Sequence, residues 1–306
     1  EQSSKSVMIK RGNQKSFTQH PDEVTKVFNK EVKCSHVLPL HDWVCQLGPN
    51  MRCTTQALVG KDIGTLDEKW RAIWDGTTKL TPEDVVANDQ TPTEDEAEIT
   101  FGMVKVLFYW LWFNMRVSFP EAVIFLALAD IKACFRFPKI HPDLTGAFGF
   151  LVNDLYCLAT AMVFGSNTSA SSWEPFRRAI EGLSKKVANR PDLVKKHKYY
   201  LDMIQWKMPS EHEPKPVTAA RCELNPGVID LAWNQVQHPS RIWVDDTLIV
   251  AVGVFAIQMA LAAVIEAIFV VLGEPDTKNR QCPLAMDKWA KLIVAEEQLG
   301  LGLIFN

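Results

Sequence analysis

This sequence lacks most of the features that would place it in a specialised class at once. Its 306 residues hold seven cysteines, an odd number spread widely. That is no disulfide framework, and it points to a reducing, intracellular setting, cytoplasmic or nuclear. A net charge of −3 excludes a protein that merely coats nucleic acid, while leaving room for a local basic channel. There is no internal repeat and no signal-peptide pattern. Cys34, His36, His41, Cys45 and Cys53 lie near one another in sequence, but their intervals match no common zinc pattern. Long apolar runs are also interrupted. Met103 to Asp130 is broken by Lys105, Arg116, Pro120 and Glu121. Thr247 to Gly273 contains only Gln258 and Glu266 as interruptions, and a span needs about 20 apolar residues. Gly253, however, divides a β-branched part from an Ala-rich part. The pattern predicts strand, turn and buried helix, with no membrane partner.

What is present is an ordinary globular composition, 47% apolar and 23% charged, enough for one large domain or two smaller ones. The chain begins at Glu1 and closes on the apolar "LGLGLIFN", so both ends are expected to be cuts in something longer. Residues 1 to about 30 are polar and read as a lead-in. Acidic, turn-rich sequence around 81 to 100 precedes a helix predicted near Phe101 to Asn114. Residues 185 to 238 change character. Lys185, Lys186, Arg190, Lys195, Lys196 and Lys198 interleave with Tyr199 and Tyr200, which suits a nucleic-acid backbone and equally suits a solvated helix.

Four stretches carry candidate chemistry. "LVGKDIGTLDEKWRAIWDGTTKL" reads as a hairpin with Lys61 and Arg71 on opposite arms. Paired cations there could grip a triphosphate; a solvated hairpin is the plain alternative. "VIFLALAD" has seven apolar residues in a row, the mark of a strand buried on both faces, and ends in Asp130. "AMVFGSNTSASSWEPFRRAIEGLS" gives a strand end, a loop in which Gly165 lets backbone approach a ligand, and a helix predicted from Ser171. "RIWVDDTLIV" places Asp245 and Asp246 between two strands. Adjacent like charges repel, and a two-residue hairpin prefers Asn-Gly or Asp-Gly, so a cation belongs at this tip unless Asp merely serves turn geometry. Three carboxylates, Asp130, Asp245 and Asp246, meeting on one sheet would bind two divalent metals that align and activate a hydroxyl attacking a nucleoside triphosphate. Carboxylate oxygens are the hard ligands that magnesium takes.

In this order the motifs resemble those of the reverse transcriptases. "LADIKACFRF" resembles the family's first palm motif, which implies Asp130 as first metal ligand and Phe135, five residues on, as the aromatic gate against the ribose hydroxyl. "MVFGSNTSASSWEP" resembles the second, in which the turn Phe164–Gly165 and the helix after it line template and nucleotide. "WVDD" resembles the third, with Asp245 the stronger ligand. "EKWRAIWDGTTK" resembles the fingers motif, making Arg71 the triphosphate contact and Lys61 its partner. "KWAKL" followed by "LGLIFN" resembles the lysine and Leu-Gly strand that close the palm, with Lys288 favoured over Lys291. The resemblance covers roughly residues 50 to 306.

It implies an α+β right-hand polymerase of palm and fingers, its antiparallel palm sheet backed by helices near 171–183 and 256–271. The implied domains are a lead-in (1–50), fingers and connecting helix (51–128), palm (129–184), an insertion (185–238) and the rest of the palm (239–306), without the thumb. The implied activity is RNA-directed DNA polymerase, a magnesium-dependent nucleotidyltransferase with two Mg2+ ions, or Mn2+ in their place. Its partners would be RNA template, DNA primer and dNTPs. The parent would be a retrotransposon polyprotein with ribonuclease H, integrase or recombinase domains, of the group that integrates by tyrosine recombinase. Two departures stand out: the 80 residues from Gly165 to Asp245 are more than most retroelement enzymes have, and no thumb follows. The alternative is a catalytically inactive, nucleic-acid-binding remnant.

Alternation of side chains along a strand adds one geometric expectation. Asp130 and Phe135 are an odd number apart, so the chain must bend between them if both are to touch one nucleotide. Asp245 and Asp246 should likewise diverge.

Overall fold

The computed structural model describes residues 12–41, 51–66, 68–79, 86–90, 97–99, 101–207, 240–275, 282–295, 298–300 and 303–305. Its strands in chain order are β1 (Val37–His41), β2 (Gln56–Lys61), β3 (Lys69–Trp74), β4 (Ile124–Asp130), β5 (Gly149–Val152), β6 (Leu155–Ala159), β7 (Gln205–Trp206), β8 (Ser240–Trp243), β9 (Asp246–Val252), β10 (Ile293–Ala295), β11 (Gln298–Gly300) and β12 (Leu303–Phe305). The chain is α+β, with helices packed on mainly antiparallel sheets. It divides into two compact units that cut across the segments predicted above: residues 1–98 with 135–173, and residues 99–134 with 174–306.

In the first unit the polar lead-in proves to be structural from Lys15 onward. The helix Pro21–Lys33 has Pro at its first position, Asp22 and Glu23 in its first turn, and Lys30 and Lys33 in its last. Each suits a helix end: the missing N–H of Pro costs nothing there, and the charges complement the helix dipole. Val24 and Phe28, four residues apart on one face, are buried with Phe17, Leu58, Trp74, Ile140, Phe150 and Val163 in a common core. Only this sparse apolar stripe marks the segment, which is why its polarity misled. Residues 1–11 and 42–50, with Cys45, lie outside the described residues. The strands β1, β6 and β5 form one antiparallel sheet, and β2 and β3 pair as the predicted hairpin.

The second unit is built on the sheet β7-β10-β4-β9-β8, antiparallel throughout except between β7 and β10. Its central strand β4 is the predicted apolar run. The helix Phe101–Ser118, the expected connecting helix after the fingers segment, covers this sheet. Val104, Phe108, Leu111 and Met115 repeat at helical spacing and pack on Ile124, Leu126, Leu248 and Val250. The alternate residues Phe125, Ala127, Ile249 and Ala251 are buried too. The helix Val254–Leu272 packs against β9 and β4. It is long and apolar enough to cross a membrane, and two-thirds of it is buried inside the protein. Gly253, at φ 82°, makes the one-residue turn from β9 into it.

One helix boundary is corrected, and the first part of the segment read as an insertion is packed. The helix predicted from Ser171 starts at Thr168, because Ser166 begins the turn: its carbonyl accepts from Ser169 N–H and its hydroxyl meets Thr168 Oγ1 at 2.9 Å. Pro175 therefore sits inside the helix, where it removes one main-chain hydrogen bond. This helix does not lie under the sheet so much as along its edge strand. Glu181 accepts from Ile242 N–H at 2.7 Å, and Arg177 reaches the Ile242 carbonyl at 3.5 Å, covering backbone groups that an open edge would leave unpaired. The segment expected to be an insertion is, in its first part, integral to the unit. Leu193, Leu201 and Ile204 are buried, the Tyr200 ring lies 5.3 Å from Phe269, and β7 joins the sheet. Residues 208–238 lie outside the described residues.

Candidate active site

The acidic centre belongs to the second unit. The strands β4 and β9 pair antiparallel with Asp130 opposite Asp246, so both side chains leave one face of the sheet. The β8–β9 hairpin closes Trp243 on Asp246, leaving Val244 and Asp245 as its two turn residues. Val244 has φ 57°, the left-handed region that a β-branched residue rarely enters and that a hairpin normally gives to glycine. The turn is strained, and such strain collects at functional sites. The Asp245 carbonyl accepts from Ile131 N–H at 2.9 Å, tying the tip to the end of β4. As expected, the chain bends after Asp130: Ile131 bridges to Leu284, and Ala133 takes φ 51°.

Burial pushes the Asp130 carboxyl up to about 6, with repulsion from Asp245 and Asp246 adding to it and the Lys288 ammonium pulling back. Lys288, on the short helix Met286–Trp289, donates to Asp130 Oδ2. Its own pKa rises despite burial, through the bond to Asp130 and the charges of Asp245 and Asp246. Asp245, Asp246 and Lys288 thus all act electrostatically on Asp130. The hard oxygen donors of the three acids have the right chemistry for magnesium. In side-chain disposition they do not form a ready cage: Asp130 is engaged by Lys288, and among the described residues no group of three His, Cys, Asp or Glu side chains is disposed to hold a metal ion. Nearby in sequence to the cysteines and histidines noted above, His36 meets Glu31 at 3.1 Å.

The other candidates belong to the first unit. In the hairpin, Val59 faces Arg71 and Lys61 faces Lys69, so Lys61 and Arg71 are diagonal neighbours on one face, about 7–8 Å apart by ordinary sheet geometry. Both are exposed, while Leu58 and Trp74 of the opposite face are buried. The Phe164–Gly165 turn is docked on the end of this hairpin. Trp74 N–H donates to the Phe164 carbonyl at 2.8 Å. Gly165 has φ 106°, and a Cβ there would stand 2.0 Å from the Trp74 carbonyl oxygen, so only glycine fits. The Phe164 ring meets Phe135 edge-on at 5.6 Å and lies 5.8 Å from the Arg71 guanidinium.

Sequence reasoning missed the residues that hold this turn. Asn88 donates from Nδ2 to the Gly165 carbonyl at 3.0 Å, and Asn167 donates to the Asn88 carbonyl at 2.9 Å. Arg136 lies 5.9 Å from the Phe164 ring. Its signal was visible in "CFRF", where a cation sits among apolar residues. Several cations of the 185–200 run are already paired within the protein: Lys196 with Glu266 at 2.7 Å and Lys198 with Asp202 at 2.7 Å.

No family model matches the sequence, and no curated protein matches it. Among solved structures it resembles a mutant prototype foamy virus protease-reverse transcriptase, with 13% identity, a TM-score of 0.47, and coverage of 96% of this chain and 27% of the other. The foamy viral protease-reverse transcriptase in complex with double-stranded DNA gives 12% identity, a TM-score of 0.45, and coverage of 95% and 40%. The same enzyme in complex with an RNA/DNA hybrid gives 11%, 0.43, and 94% and 26%. The chain thus spans between about a quarter and two-fifths of the structures it matches.

Proposed function

We propose that this chain is the palm and fingers of a reverse transcriptase from a retrotransposon polyprotein, acting within the cell. It extends a DNA primer with dNTPs along an RNA or DNA template. The observation that carries this reading is the pairing of Asp130 with Asp246 beside a strained Val244–Asp245 turn, with Lys288 against Asp130. A structural turn has no use for three carboxylates so placed, because like charges directly opposite one another destabilise a sheet. Asp130, Asp245 and Asp246 would hold two magnesium ions, with manganese as an alternative. Bound there, the ions supply charge neutralisation and activation of the attacking primer hydroxyl.

The chain's own groups do the remaining work in this reading. The planar fork of Arg71 matches phosphate oxygens, and Lys61 adds a point charge beside it. Phe135 packs against the sugar and excludes a 2′ hydroxyl, the group that distinguishes the two nucleotides. The Gly165 backbone, free of a Cβ, lets the template and nucleotide approach. Lys288 would have to leave Asp130 for that carboxylate to serve as a metal ligand.

Primer extension on matched RNA and DNA templates, with magnesium and with manganese, tests the proposal. Template-directed, dNTP-dependent extension is expected, and it should vanish in Asp245→Asn. A second reading is favoured by the Lys288–Asp130 pair, which already neutralises the buried acid: a remnant that binds primer–template without turnover. Retained binding with no extension under either ion would select it.

A further inference from the structure

A buried arginine needs partners. Arg136 is only 8% exposed, and stripping the hydration from a guanidinium costs several kcal/mol. Its Nη1 donates to the Met162 carbonyl at 2.9 Å, and its Nη2 lies 3.2 Å from Glu31 Oε2 on the helix Pro21–Lys33. Nε has no hydrogen-bond partner. A further contact is the ring of Phe164, 5.9 Å from the guanidinium carbon, within the roughly 6 Å at which a cation is held by an aromatic face. Glu31 is itself held by His36. A line of contacts therefore runs from the N-terminal helix through Arg136 to Phe164, the ring that Phe135 and Arg71 also touch.

We infer that Arg136 is a positioning residue for nucleotide selection: it fixes Phe164, and through that ring the Phe135 edge that reads the sugar. This rests on the polymerase reading above. Lysine keeps the charge but cannot offer two planar donors and a flat cation to the ring at once, so the conservative change isolates the positioning role. Phe135 stays in the chain in that variant but loses the wall behind its partner. A misplacement of about 1 Å can cost roughly 100-fold in a well-aligned site.

The test is single-nucleotide extension with a dNTP and its matching rNTP, on wild type, Arg136→Lys, Phe135→Val and the double variant, with thermal unfolding measured in parallel. Arg136→Lys should lower the deoxyribose-to-ribose ratio of kcat/KM by about tenfold, a fraction of that limit. On the Phe135→Val background it should change the ratio no further, since the gate is already gone. Glu31→Gln should act in the same direction but more weakly, and it carries the test if Arg136→Lys does not fold. An unchanged ratio in variants that still extend with dNTP, whatever their loss of melting temperature, would overturn the inference. A wild-type protein that extends no primer would overturn the polymerase reading itself, and the inference with it.

Discussion

Asp130 and Asp246 are register partners on neighbouring antiparallel strands, so two carboxylates leave the same face of one sheet side by side. Burial and mutual repulsion hold the Asp130 proton up to a pH of about 6, and Lys288 is the group that offsets the charge. An arrangement so unfavourable in itself is what the proposed divalent ions would relieve.

Asp245→Asn removes charge with almost no change of volume. Metal charge stabilisation is worth several kcal/mol, on the order of a thousandfold in rate, so extension should fall at least that far. Melting temperature should hold, because the Asp245 backbone carbonyl, not its side chain, makes the bond to Ile131. Extension that survives the change would remove Asp245 from the metal site.

Arg71→Ala should raise the nucleotide KM about 10- to 100-fold, the range of one or two charged hydrogen bonds, with primer affinity unchanged. Its exposed position on the hairpin makes a folding defect the wrong explanation for any loss. Equal loss of primer–template affinity in a binding titration would assign Arg71 to the nucleic acid instead.

Val244 sits at φ 57°, where a side chain with a Cβ loses roughly 1–2 kcal/mol. Val244→Gly should therefore stabilise the fold by up to about 1 kcal/mol, after the entropy that glycine adds to the unfolded chain. Denaturant unfolding measures it directly. A clear loss of stability would mean that the valine side chain contributes more by packing than the turn loses by strain.

His197 is 3% exposed and meets Glu266 at 2.7 Å. Burial draws its pKa below 6.5, although Glu266 pushes it back up. The unfolded chain therefore takes the proton first. Stability is complete above about pH 6.5 and is lost as pH falls toward the lower folded value. Urea unfolding at about pH 7.5 and about pH 5 should show a smaller drop for His197→Gln than for wild type. An equal drop would place the acid sensitivity elsewhere.

Local chemistry alone determined a good part of this protein. Seven apolar residues before Asp130 specify a strand buried on both faces, and Gly253 marks where β-branched sequence gives way to helix, because period and turn chemistry are properties of neighbours. The order of the acids and the Phe-Gly turn was legible for the same reason. Tertiary structure decided the rest. Whether Asp130 meets Asp245 or Asp246 is a matter of register between strands more than a hundred residues apart, and a slip of one residue would turn the carboxylates to opposite faces. The helix Pro21–Lys33 has only Val24, Val27, Phe28 and Val32 as apolar residues besides Pro21, so its place in the core depends on what Val24 and Phe28 find to pack against. In sequence Arg136 is only a cation among apolar residues, and it is burial that makes Glu31 and Phe164 the partners it requires.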